Sequence, residues 1–304
     1  MTSIWDIGGN NVDVGYVNLR AASSAAEREM RQMLDMMWLT YEPYADPDFR
    51  EGFARDPDAR FWEMYLGCTL VNAGKSLLPI AERKRTGGQP DLCVLDGDRR
   101  IWIEAIAPDS GAPRADQVRG PTPINEGGGL EPAPRRQAQL RTTSALWTKK
   151  QAIDRYLREG AIGQNDVRLI AISAGRFGLY VSEYPLPLIM SAVFPIGDEF
   201  VSIDRETGNV IGQGFHTSLE IRRQGASIPR TAFLDRQFAP VSGIIWSRIG
   251  IGNTSRDQRP LTYIHNPLAT VLLPTRWGVW DREFVTTERD DEWIAADILT
   301  PDSP

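Results

Sequence analysis

Two apolar runs constrain this chain more than anything else in it: residues 91–95 (Asp-Leu-Cys-Val-Leu) and residues 100–107 (Arg-Ile-Trp-Ile-Glu-Ala-Ile-Ala), separated by Asp96-Gly-Asp-Arg99. Strand-forming residues on either side of a Gly-containing polar break predict an antiparallel hairpin. With Gly97-Asp98 as the loop, Asp96 faces Arg99 and Asp91 falls directly opposite Glu104. With Asp96-Gly97 as the loop, the two acids become diagonal neighbours. In both registers Asp91, Cys93, Trp102 and Glu104 share one face, because side chains alternate along a strand. Directly opposed Cβ atoms lie ~4.5–5.5 Å apart and like charges there repel. The pair therefore asks for a cation between its members or a shared proton. Glu104 is the only charged side chain in the run 101–107, so its burial is costly unless it is paired or metal-bound.

The rest of the chain supplies elements to place around this hairpin. Ser24-Ala-Ala-Glu27 has capping-box spacing and predicts a helix over residues 25–38. Asp56-Pro57 supplies a cap and a first-turn proline for a helix to about residue 73, which Gly74 ends. Residues 144–158 return to helical spacing, with Leu146, Ile153 and Leu157 on one face. Residues 167–173 are nearly apolar throughout, as in a strand buried inside an α/β sheet. Short strands are expected at 201–203, 210–214, 242–248 and 261–265. Residues 1–19, the connector 41–55 and the Pro/Gly-rich stretch 108–143 read as irregular. The pairs Gly212/Gly214 and Gly250/Gly252 lack the dinucleotide-binding context and read as turn glycines.

Scarcity narrows the chemistry. Only two histidines occur, His216 and His265, neither in a catalytic spacing. The two cysteines, Cys68 and Cys93, fit no zinc pattern. What remains is carboxylates, lysines and a hard metal ion. No apolar run is long enough to span a bilayer and the N-terminus has no secretory pattern, so a cytoplasmic protein without a membrane partner is expected. The net charge is −6, yet residues 110–160 carry nine basic side chains against five acidic ones, and Arg83-Lys-Arg85 lies just before the hairpin. Basic groups so placed suit phosphate contacts.

The order of these features resembles the PD-(D/E)XK nucleases, the restriction-endonuclease-like superfamily. The matching residues are Glu63 on the helix before the hairpin, Pro90-Asp91 on its first strand, and Glu104-Ala-Ile106 on its second. The resemblance spans roughly residues 57–173. It implies an α/β (α+β) fold, a restriction-endonuclease-like core with a central mixed sheet flanked by helices. It also implies Mg2+ or Mn2+ on Asp91 and Glu104, Glu63 in support, and nucleic acid, DNA or RNA, as substrate. The motif lysine is missing, since Ile106 stands in its place. Some members similarly carry that lysine on the following helix, where Lys149 and Lys150 are the candidates. Periodicity favours Lys149 slightly as the inward one. The catalytic set expected is thus Glu63, Asp91, Glu104 and Lys149, with Arg83, Lys84, Arg85 and Lys150 as nucleic-acid contacts.

The implied organisation is a helical extension over 1–50, one nuclease-like domain over 51–287, and an acidic tail over 288–304. This reading admits a homodimer. An inactive relative that binds nucleic acid or a protein is the alternative function. A glycosidase using a carboxylate pair, with some of the nine tryptophans as sugar platforms, is a third reading.

Overall fold

A computed structural model describes the chain except for residues 1, 84–87, 113–115, 121, 123, 127, 130, 131, 224, 290, 291 and 300–304. Helices α1 (Val14–Ala21), α2 (Ala25–Tyr41), α3 (Phe49–Arg55) and α4 (Pro57–Asn72) come first. Strands β1 (Ser76–Leu77), β2 (Leu92–Asp96) and β3 (Arg99–Ile106) follow, then helix α5 (Arg135–Arg158) and strand β4 (Val167–Ser173). A short α6 (Met190–Val193) precedes two separate hairpins, β5 (Ile196–Ile203) with β6 (Val210–Thr217) and β7 (Glu220–Arg223) with β8 (Ala226–Pro229). Strands β9 (Gly243–Ser247), β10 (Thr262–His265), β11 (Arg282–Arg289) and β12 (Glu292–Asp297) complete the set.

Eight of these strands form one mixed sheet in the order β1-β2-β3-β4-β9-β10-β11-β12. The pairs β1/β2, β2/β3, β9/β10 and β11/β12 are antiparallel, whereas β3/β4, β4/β9 and β10/β11 are parallel. Helix α5 is the crossover that makes β3 and β4 parallel, as such a connection must be long enough to return to the same end of the sheet. Every residue of β4 is buried, which follows from its central position with both faces covered. On one face Leu92, Val94, Ile101, Ile103, Leu169 and Ala171 pack with α1–α4. On the other, Cys93, Trp102, Ile170 and Ile172 pack with α5, α6 and Phe238.

Local signals in the sequence explain the helix ends. Ser24 and Glu27 form the expected capping box, and Asp56 accepts the Ala59 N–H at the start of α4. Gly74, with φ of +75°, closes α4 in the left-handed region that glycine adopts without strain. Helix α4 is wedged between sheet and helices, and the Trp62 indole N–H donates to the Ala171 carbonyl at 3.1 Å. Gly67 lets α2 approach: a Cβ there would stand 2.5 Å from two Tyr41 ring carbons. Gly67→Ala should therefore destabilise the fold by about 1–3 kcal/mol, as overpacking does. This outweighs the ~1 kcal/mol that alanine ordinarily gains over glycine in a helix. Chemical denaturation measures the balance, and an unchanged or higher midpoint would contradict this packing.

Several expectations are corrected. Helices α1–α3 bury Tyr16, Phe49 and Phe53 in the same core as α4. Asp13 caps α1 inside the stretch expected to be irregular, and α3 lies within the expected connector 41–55. Helix α5 begins at Arg135, so the irregular stretch is shorter than 108–143. Its first two turns contain no Pro or Gly and bury Ala138 and Leu140. The acidic region at 288 holds the end of β11, and β12 pairs with it where a solvated tail was expected; edge strands tolerate charge on their open side. Gly212 and Gly214 lie within β6, not in a turn.

Candidate functional site

The hairpin adopts the first of the two registers, with Asp96 opposite Arg99 and Leu92 opposite Ile103. Asp91 stands one residue before β2. Its Oδ2 accepts the Ala105 N–H at 2.6 Å, so the side chain supplies what the buried backbone donor needs. This places Asp91 beside Glu104. Arg83, which is buried, donates to the carbonyls of Leu78 at 3.2 Å, Pro90 at 3.4 Å and Asp91 at 2.9 Å. It is a brace for the start of β2, not the solvent-facing phosphate contact expected of it. Lys84 and Arg85 lie outside the described residues.

Glu104 is 5% exposed and points, with Trp102 and Cys93, towards α5. Lys149 Nζ donates to its Oε1 at 2.8 Å. Its Oε2 is buried with no hydrogen-bond partner. Lys150 instead pairs with Asp154 at 2.6 Å, on the far side of α5 towards the Phe238 ring, so it does not reach the acids. Glu63, on α4, accepts from the Tyr41 hydroxyl at 2.6 Å and from Arg60 Nη1 at 2.7 Å.

These groups converge on one open cleft of about 610 Å³. Glu63, Asp91 and Lys149 line it, as does Ile106, while Glu104 reaches it only through Lys149. The lining also carries Arg55, Arg60, Arg141 and Arg176, with Asp56 and Asp109 among them. Arg141 is anchored by Asp109, whose carbonyl accepts its Nε at 2.9 Å. Arg176 pairs with Asp56 and, at 3.4 Å, with Asp58.

Electrostatics mark the same place. Burial, then the charge of Asp91, lifts the Glu104 carboxyl to about 8 against the opposing pull of Lys149. Burial and Asp91 likewise lift Glu63 to about 8, opposed by Arg60 and Tyr41. Burial works against the Lys149 charge, but Asp91 and Glu104 outweigh it and raise its affinity for the proton. Tyr156 is pushed up to about 12 by burial and by Glu104. Perturbed carboxyls grouped in a cleft are a mark of functional sites.

The donors here are all oxygens, and Glu104 Oε2 is an unused one, which suits a hard divalent ion. Among the described residues no group of three or more His, Cys, Asp or Glu side chains could hold a metal. An ion at this place would therefore rest on Asp91 and Glu104 with backbone carbonyls or water. Sequence reasoning reached Glu63, Asp91, Glu104 and Lys149 and missed Tyr41, Asp46 and the lining arginines. Asp46 is raised by burial and by Asp91, so it too lies in the acids' field. Only Arg60 carried a signal, being three residues before Glu63 on the same helix. Trp62 and Trp102 are core residues and offer no sugar platform. Both histidines are accounted for structurally, His265 by Glu283 at 2.6 Å and His216 by the Phe200 ring.

No family model matches the sequence, and no curated protein or solved structure is significantly similar to it. Among the described residues, no helix is long and apolar enough to cross a membrane.

Proposed function

We propose that this chain is a divergent PD-(D/E)XK nuclease whose cleft is a Mg2+- or Mn2+-dependent phosphodiesterase centre acting on nucleic acid. Support for the fold comes from element order: helix α4, the antiparallel β1–β3, the crossover α5, and β4 parallel to β3. Support for the chemistry rests on one contact above all, the Lys149 ammonium 2.8 Å from Glu104. The cation that Ile106 cannot supply arrives from α5 on the same face of the sheet.

In this reading Asp91 and Glu104 hold the ion, with the unpaired Glu104 Oε2 as a ligand. Bound there, the ion would polarise a phosphoryl oxygen and make a water a stronger nucleophile. Lys149 orients that water or stabilises charge developing on the phosphoryl oxygens. Glu63, fixed by Tyr41 and Arg60, supports the ion through a water. Arg60, Arg141 and Arg176 present guanidinium groups to flanking phosphates.

Incubation with a panel of DNA and RNA substrates should give cleavage that needs Mg2+ or Mn2+ and stops on chelation. No cleavage, together with no Mn2+ binding by calorimetry, would remove the proposal. One observation favours a second reading, an inactive relative that binds nucleic acid or a protein: Glu104 is closed against Lys149 and does not itself line the cleft. Binding that survives Glu104→Ala unchanged, with no turnover by the wild type, would select it.

A further inference from the structure

Helix α5 has a second functional side. Leu140, Thr143, Ser144 and Trp147 line a separate cavity of about 400 Å³, closed opposite by Arg223 and Ile228 of the β7/β8 hairpin. Arg141 and Ser144 line both this cavity and the acidic cleft. At 3.6 residues per turn the two lining stripes are centred about a quarter of a turn apart, with Arg141 and Ser144 on the ridge between them. The path over that ridge is roughly 9 Å for a helix about 11 Å across. The two cavities thus adjoin across one ridge of α5.

Their linings differ in kind. The cleft is ionic, lined by carboxylates and arginines. The second cavity offers the Trp147 ring, held by an edge contact with Phe238 at 4.8 Å between centroids. The Arg223 guanidinium, paired with Asp116 at 3.1 Å, adds a second flat surface. Ser144 adds an exposed hydroxyl at the wall. A cavity of this size holds one small planar group, and a flat aromatic beside guanidinium groups suits a π-face.

We propose that this cavity receives an unpaired nucleobase adjacent to the phosphate in the cleft, stacked on Trp147, so that the substrate class is single-stranded nucleic acid. The inference rests on the nuclease reading for the position of the phosphate. Its physical basis is that a base held in a duplex stack cannot enter a cavity turned around a helix, whereas a base of a single strand can. Stacking and a few arginines then provide the hold.

The test is equilibrium binding of fluorescein-labelled single strands, the same strands with one abasic position, and matched duplexes, all in EDTA, followed by cleavage with Mn2+. Stacking is worth about 1–3 kcal/mol per base, so Trp147→Leu should weaken single-strand binding roughly 5- to 150-fold. The abasic strand should lose the same factor with wild-type protein and lose nothing more with Trp147→Leu. Trp147→Tyr, which keeps a ring, should restore most of the affinity. Duplex should bind more weakly than single strand. Equal losses for intact and abasic strands in Trp147→Leu, or no loss at an abasic position with wild-type protein, would overturn the subsite. If cleavage occurs without this coupling, the nuclease reading stands and the subsite falls. If the coupling appears without cleavage, the subsite stands and the nuclease reading falls.

Discussion

Replacing Glu104 by Gln is expected to lower metal-dependent cleavage on the order of 10²–10³-fold, the cost of removing one preorganised electrostatic group, without lowering stability at pH 8. The two halves of this outcome have one origin. Glu104 is buried and its carboxyl is lifted to about 8 by burial and by Asp91. The folded state therefore binds a proton at Glu104 more tightly than the unfolded state, whose carboxyl stays near 4.5. An acid raised in this way makes the fold less stable as pH rises from about 4.5 through 8, because ionising it costs more when folded. Gln carries no such charge, while its carbonyl still accepts from Lys149. The melting temperature of the variant at pH 8 should equal or exceed that of the wild type, and cleavage should stay lowered at every Mn2+ concentration. Full activity in Glu104→Gln would contradict the assignment of Glu104 as a ligand.

Lys149→Met should show the opposite pattern, a stability loss that grows with pH. Lys149 is the hydrogen-bond partner of Glu104 Oε1, and the Glu104 side chain is 6% exposed. Removing one member of a buried pair costs about 3–5 kcal/mol when the other must stay ionised. At pH 5 Glu104 can hold its proton and the loss should be small. Above about pH 8 the loss should set in and grow with each pH unit toward that value, because Glu104 ionises there in the wild type while the variant, lacking Lys149, holds its proton longer. Denaturant midpoints at pH 5, 7 and 9 measure the trend. The double variant Lys149→Met/Glu104→Gln should recover most of the high-pH loss, as coupled partners do in such cycles. A loss that is independent of pH, or a double variant as unstable as Lys149→Met, would show that the two side chains do not act as a pair.

The local part of the site was legible because it depends on short-range rules. Strand alternation puts Asp91 and Glu104 on one face whichever turn forms, and capping chemistry places the ends of α2 and α4. Helical periodicity gave Lys149 only a slight preference over Lys150, and it took the packing of α5 on β3 to separate them. Tyr41 and Arg176 could not be read in the same way. Tyr41 reaches Glu63 from a helix 22 residues earlier, and Arg176 reaches Asp56 across 120 residues. Such contacts belong to the tertiary arrangement, and the sequence around each carries no period or spacing that announces it. Arg83 shows the reverse error. A basic cluster reads as a solvated face, yet one member is drawn into the backbone carbonyls that hold Asp91. Beyond β4 the expected strands 242–248 and 261–265 match β9 and β10, whereas β11 and β12, at one edge of the sheet, were not read as strands.

The central claim is that Asp91 and Glu104 share a divalent ion at the end of the hairpin. Anomalous diffraction from crystals of the wild-type protein grown with Mn2+ tests it most directly. A peak about 2 Å from carboxylate oxygens of both residues, the distance expected for a small hard dication, is the predicted result. A saturating Mn2+ data set with no peak between them, and the Glu104–Lys149 contact unchanged, would contradict it.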